Sequence, residues 1–311
     1  MKRTTINNIK KGVLVACLAA ISTSCERSIS DDAEFATFSK TGEIFTDTFV
    51  GMGADFYFPF IGAKPEVFSV DENEGYESQA SIRIDVPNAD DPAGGFAGAN
   101  FIVDGSGRNL TEFDALTFWA RASQAATAGL FGFGEEFSAN VAQVDLTTQW
   151  RQYIVPIPDP SRLVEVKTVF RFAAGGILPG GAEPNQGQEV GYTFWIDELK
   201  FEKLGTIAQP RPAILAGQNI SIEAFTGQEF QLLPFTQTFN LPNGQNQTAL
   251  VSASYFVLNS SNPGVATVNE DGIVSVLRSG SAEITGAING VRAEGSLTLD
   301  VQGGFVGAPI P

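Results

Sequence analysis

Between residues 42 and 202 the chain alternates apolar and polar positions in short runs, each cut off by Gly, Pro, Asn or Asp. Successive side chains of a strand point to opposite faces, so a period of two marks half-buried β-structure. None of these runs leads into apolar residues at helical spacing, which removes βαβ architectures. Strands are expected at 43–49, 80–86, 95–103, 115–122, 128–134, 139–146, 150–157, 167–173 and 192–201. Many short strands at such intervals make a sandwich or a barrel. A charged fraction of 17% with 33 Gly and 25 Phe agrees with an all-β chain.

A second strand series follows, at 220–224, 230–233, 249–258, 266–268, 273–276, 282–288 and 295–301. Between the two series, Pro210 and Pro212 lie in a stretch without periodicity, and a linker is placed at 206–217. The expected domains are 41–205 and 218–303, followed by a Gly/Pro-rich tail at 304–311. A chain of 311 residues holds about two domains on length alone. The second domain has the size and strand number of an immunoglobulin-like sandwich.

Composition then excludes function classes. The chain has no His, so Ser-His-Asp units, HExxH zinc sites and imidazole bases are ruled out. Its formal charge of −16 opposes nucleic acid, whose binding draws on clustered Lys and Arg. Carboxylate catalysis needs two acids about 5–10 Å apart. Glu135 and Glu136 are adjacent, but on a strand they point to opposite faces. A non-catalytic protein is expected.

The first residues read as an address. Lys2, Arg3, Lys10 and Lys11 precede an apolar run at 12–21, then Ser22-Thr23-Ser24 and Cys25. That order is a secretory signal, too short to span a membrane. With Cys placed directly after small residues, it resembles a bacterial lipoprotein signal, in which Cys25 becomes the lipidated N-terminus after removal of 1–24. Cys17 has a lipobox-like Leu14-Val15-Ala16 before it but leaves too short an apolar core. Removal takes four basic residues and no acid, leaving 15 Lys plus Arg against 35 Asp plus Glu, a charge of −20. Cys25 is then the sole cysteine, so no disulfide forms. Residues 25–40 are expected as a tether. Asp31-Asp32 resembles surface-export signals of Gram-negative lipoproteins, which implies the outer membrane, facing outward.

Two further resemblances concern the domains. NSSNPGVATVNEDGIVSV (259–276) and SGSAEITG (279–286) resemble the signature of bacterial Ig-like domains of group 2, implying an adhesive or spacer module. ALTFWARA (115–122), QWRQYIVPI (149–157), KTVFRFAAGG (167–176) and YTFWIDELKF (192–201) resemble the strands of galactose-binding-like jelly rolls that serve as carbohydrate-binding modules. The implied fold is an all-β jelly-roll sandwich plus a smaller immunoglobulin-like sandwich. The implied partner is a polysaccharide or oligosaccharide.

Sugar binding needs aromatic rings for apolar sugar faces and polar side chains for hydroxyls, gathered on one surface. Alternation turns Leu116, Phe118, Phe170, Phe172, Phe194 and Ile196 inward and sets Trp119, Arg121, Arg171 and Trp195 on the opposite face. Those four either form a ligand platform or lie packed under a loop or terminal strand. Trp150 reads as structural. In DFYFPF (55–60), Tyr57 or Phe58 belongs either to a binding loop or to an edge strand packed on the core. The jelly-roll resemblance further implies a structural Ca²⁺ held by the closing-strand Asp197, with Asp47 or Glu43 from the N-terminal strand. The functional expectation is a lipid-anchored surface glycan-binding protein serving an outer-membrane uptake complex. Its rival is a structural or adhesion lipoprotein that binds a protein or scaffolds a surface complex.

Overall fold

The computed structural model describes residues 38–177 and 189–303. Cys17, Cys25, the expected tether up to residue 37 and the tail from 304 lie outside the described residues.

Eight strands build the larger half: Ser81–Val86, Phe96–Ile102, Ala115–Ala122, Ala126–Phe133, Ala139–Leu146, Arg151–Pro156, Thr168–Gly175 and Tyr192–Glu202. One sheet places Arg151–Pro156, Ala115–Ala122, Tyr192–Glu202 and Ser81–Val86 side by side, all antiparallel. The facing sheet runs Ala139–Leu146, Ala126–Phe133, Thr168–Gly175, Phe96–Ile102 and Tyr57–Pro59. The chain crosses between layers so that neighbours in sequence, such as Ser81–Val86 and Phe96–Ile102, lie in opposite sheets. This strand order is a jelly-roll β-sandwich.

Phenylalanine fills the space between the layers. Phe101, Phe118, Phe131, Phe170, Phe172 and Phe194 are all at most 1% exposed. Their rings meet edge to face, tilted or stacked, as Phe101 on Phe170 at 5.4 Å edge to face, Phe118 on Phe131 at 5.0 Å tilted, and Phe170 on Phe172 at 6.1 Å stacked. Each buried ring contributes about 2–3 kcal/mol in transfer from water. The inward positions assigned by alternation are those found buried.

The C-terminal half stacks two smaller sheets. One holds Asn219–Phe225, Ser296–Gln302, Gly280–Ile288 and Val257–Ser260; the other holds Glu229–Gln231, Ile273–Val276 and Ala266–Val268. Asn219–Phe225 runs parallel to Ser296–Gln302. The Asp271-Gly272 turn forms where the sequence places it, with Gly272 at φ 78°. A side chain there would also strike the Phe235 ring at 2.8 Å.

The segment 206–217 is not the open linker that its prolines suggest. Ala208–Ile214 forms a strand against Phe235–Asn240. It sits at the end of its sheet, where proline is tolerated because an outward-facing N–H is not needed. A hairpin of Phe235–Asn240 and Asn246–Val251 then joins the jelly roll, pairing Leu250 with Asn140 and Val251 with Ala139. Ser138 N donates to Ser252 Oγ at 2.7 Å and Ser252 N donates to Ser138 O at 3.1 Å. Tyr255, 2% exposed, donates its hydroxyl to Phe137 O at 2.9 Å. The larger sheet therefore carries eight strands and runs through both halves.

Two expected strands are broken. The 43–49 run folds as Glu43–Thr46 and Thr48–Phe49 around Asp47 at φ 67°. The 249–258 run is interrupted by a 3-10 turn at Ala253–Tyr255.

Candidate functional site

All three tryptophans of the chain gather on the outward face and edge of one sheet. Register sets Trp195 opposite Arg121 and Arg83 opposite Trp195. The Arg121 guanidinium carbon lies 4.8 Å from the Trp195 ring centroid and 5.9 Å from that of Trp150. A cation over an indole face is worth about 0.5–1 kcal/mol where exposed. Arg121 Nη1 also sits 3.4 Å from Glu74 Oε1.

Trp195 donates from Nε1 to Asp71 Oδ2 at 3.0 Å. That bond, followed by the N–H of Asn73, holds the Asp71 carboxyl below the usual carboxylate range. Trp119 is covered by Tyr76, whose ring lies 3.7 Å away and 8° from parallel. Trp150 stands edge-on to Tyr76 at 6.1 Å. Trp119 does lie under a loop, but the loop contributes a ring of its own, and Tyr76 with Trp150 extends the aromatic surface outward. Trp119 and Trp150 also line a cleft of about 690 Å³ at the sheet edge.

The loop carrying Tyr76 is pinned from below. Asp197, fully buried, accepts from Tyr76 N at 2.7 Å, Ser78 Oγ at 2.8 Å and Glu198 N at 2.7 Å. Asp47 accepts from Ala80 N at 3.0 Å and Gln79 N at 3.2 Å. Burial pushes the Asp197 carboxyl up, against the pull of its three donors. The structure brings Asp47 and Asp197 to the same loop, where N–H and O–H donors take Asp47 Oδ1 and both oxygens of Asp197. Ca²⁺ needs six to eight oxygen ligands, and among the described residues no three His, Cys, Asp or Glu side chains converge. In this arrangement the two carboxylates act as anchors of the loop.

Arg108 supplies a buried positive charge to the N-terminal strand. It is 0% exposed, and its guanidinium donates to the carbonyls of Glu43 and Val50, both at 2.5 Å, and of Thr41 at 3.3 Å. Burial lowers its pKa to about 10, which leaves it charged at neutral pH.

One expected platform member, Arg171, and the separate candidate Tyr57 lie elsewhere. Arg171 projects from Thr168–Gly175, in the other sheet, opposite Asn100 and Gly132. Its guanidinium carbon lies 5.7 Å from the Phe60 ring. Alternation gave its side of the strand correctly, but not which layer the strand joins. Tyr57 faces inward, stacked on Phe68 at 4.9 Å and edge-on to Phe101 at 5.8 Å. Burial pushes its hydroxyl up to about 12. Its neighbour Phe58 is the outward ring, 42% exposed.

Tyr76 and the surface position of Trp150 were not legible in the strand patterns. Tyr76 follows Gly75 in a loop with no period, and the resemblance that placed Trp150 did so as a framework residue.

The site thus sits on an all-β jelly-roll sandwich. No protein-family model matches the chain, and no curated protein matches it in sequence. Among solved structures, it is similar to a family 30 carbohydrate-binding module, with 15% identity and a TM-score of 0.37, covering 52% of this chain and 86% of that one. A family 11 carbohydrate-binding module from Clostridium thermocellum, in complex with a β-1,3-1,4-mixed-linked tetrasaccharide, shows 12% identity and a TM-score of 0.36, covering 54% and 98%. A β-1,2-glucanase from Parabacteroides distasonis shows 10% identity and a TM-score of 0.33, covering 85% of this chain and 39% of that one.

Proposed function

We propose that this chain is a non-catalytic glycan-binding protein that holds polysaccharide on the face formed by Tyr76, Trp119, Trp150, Arg121 and Trp195. The carrying observation is the gathering of all three tryptophans on one outward face beside a cleft. Trp is rarely buried completely, so it is the gathering of the three on one face that distinguishes this surface. Here none of the three is buried. Stacked rings offer flat apolar surface to the axial faces of a sugar, while Arg121, Arg83 and Asp71 provide donors and acceptors for its hydroxyls.

In the same proposal Cys25 carries the lipid and keeps the protein on the outer membrane facing outward, where captured glycan passes to an uptake complex. The basic, apolar and small segments of the leader support that part. The test is a screen of the full chain against plant, algal and microbial polysaccharides by affinity electrophoresis. Retention on at least one is expected; a clean negative across all of them removes the proposal and leaves a protein-binding or scaffolding role.

A further inference from the structure

We propose that the C-terminal half completes the glycan site. The turn at residues 241–247 forms the far wall of the cleft, and the polysaccharide taken there is neutral. This rests on the glycan-binding reading above and goes further, because it makes the smaller half part of the site rather than a spacer.

The cleft opens where the edge strand Arg151–Pro156 faces the junction of Ala139–Leu146 with the added hairpin. Its floor is apolar. Tyr153 stacks on Phe118 at 5.4 Å and 17°, and its hydroxyl donates across the gap to Asp145 O at 2.7 Å. Trp150 stands at the opening beside the aromatic face. At about 690 Å³ the space lies within the usual range of small-molecule sites, about 300–1,000 Å³.

The walls are carboxamides. Gln143 and Gln152 come from the jelly roll, and Asn243, Gln245 and Gln247 from the C-terminal turn. Each amide sets a donor beside an acceptor, the pairing that adjacent sugar hydroxyls require. The turn is organised locally: Gln245 N donates to Asn243 Oδ1 at 2.9 Å and Gly244 N to Leu241 O at 2.9 Å.

Gln143 adds an independent observation. It has φ 52° in the middle of a strand. Alternation slips there, with Ala142 and Gln143 both exposed between inward Val141 and Val144. Left-handed backbone at a non-glycine residue is costly and is retained mainly where a side chain must be aimed. At Gln143 it accompanies a place in the cleft lining.

Charge selects the ligand. The charged residues lining the cleft are Asp145 and Arg151, which balance, and the chain as a whole carries −16. Arg151 is offset by Asp145, so the lining offers no net positive charge to a uronate, and the overall field repels a polyanion.

The experiment compares the full wild-type chain with a turn variant, Asn243→Ala/Gln245→Ala/Gln247→Ala, and with Trp150→Ala. The probes are mixed-linkage β-glucan, xyloglucan, galactomannan and laminarin as neutral polymers, and polygalacturonate and alginate as anionic ones. Thermal melts accompany each binding measurement. The expected result is that the turn variant loses about tenfold or more in affinity for the neutral polymer that wild type retains, at unchanged melting temperature. The anionic polymers pass unretained. A turn variant that binds like wild type while Trp150→Ala does not would overturn this inference and leave the glycan-binding reading standing. Preferential retention of an anionic polymer would overturn the neutral assignment. Failure of wild type to retain any polymer would remove both.

Discussion

Tyr76 lies flat on Trp119, its ring 3.7 Å away and 8° from parallel, although 43 positions separate them in sequence. The contact couples a surface loop to an interior strand of a sheet. Tyr76→Ala uncovers the indole, so tryptophan emission is expected to shift to the red. The stability cost is about 1 kcal/mol, the worth of an aromatic pair beyond its buried area. Fluorescence with a urea titration checks both, and an unchanged spectrum would count against the stacking.

Asp197 anchors the same loop with three accepted hydrogen bonds. Asp197→Ala leaves the Tyr76 and Glu198 N–H groups without their acceptor, at about 1–3 kcal/mol each where they stay dry. We expect a loss of about 3 kcal/mol and faster proteolysis between residues 72 and 80. A variant with wild-type stability and an intact loop would refute the anchor.

Asp71 gives a pH signature. Its folded pKa is lowered, chiefly by the Trp195 hydrogen bond, so its contribution to stability is present above the unfolded carboxylate pKa. That contribution fades as pH falls through the lowered folded value. Trp195 emission in wild type should therefore change only at pH values below the ordinary carboxylate range. The Asp71→Asn variant should lack this change. A wild-type titration centred above that range would contradict the assignment.

Calcium and Arg108 are tested together. Because donors occupy Asp47 Oδ1 and both Asp197 oxygens while Arg108 holds the carbonyls of Thr41, Glu43 and Val50, a chelator is expected to leave the melting temperature unchanged. Arg108→Met removes charged hydrogen bonds from buried carbonyls and should cost about 3 kcal/mol. Chelator-induced destabilisation would restore the calcium expectation.

How much was readable follows from what each signal encodes. Alternation reports which side of a strand a residue occupies, and it placed Phe118, Phe172 and Phe194 inward without error. It carries no information on which sheet a strand joins, and so it grouped Arg171 with Trp119 when the two sit on opposite layers. It also fails where the backbone slips, as at Gln143. The fusion of the two halves was hidden by Pro210 and Pro212, which look like a linker but occupy the end strand of a sheet. One signal was present and unread: Asn243-Gly244, a hairpin dipeptide, sits between the strands that carry the junction.

The most direct measurement of the central claim is polysaccharide affinity of wild type and the Tyr76→Ala/Trp150→Ala variant, each paired with a thermal melt. The account predicts that wild type is retained by a neutral polysaccharide, and that the variant loses retention by at least about tenfold while its melt stays within a few degrees. A variant that still unfolds like wild type and is retained as strongly would contradict it.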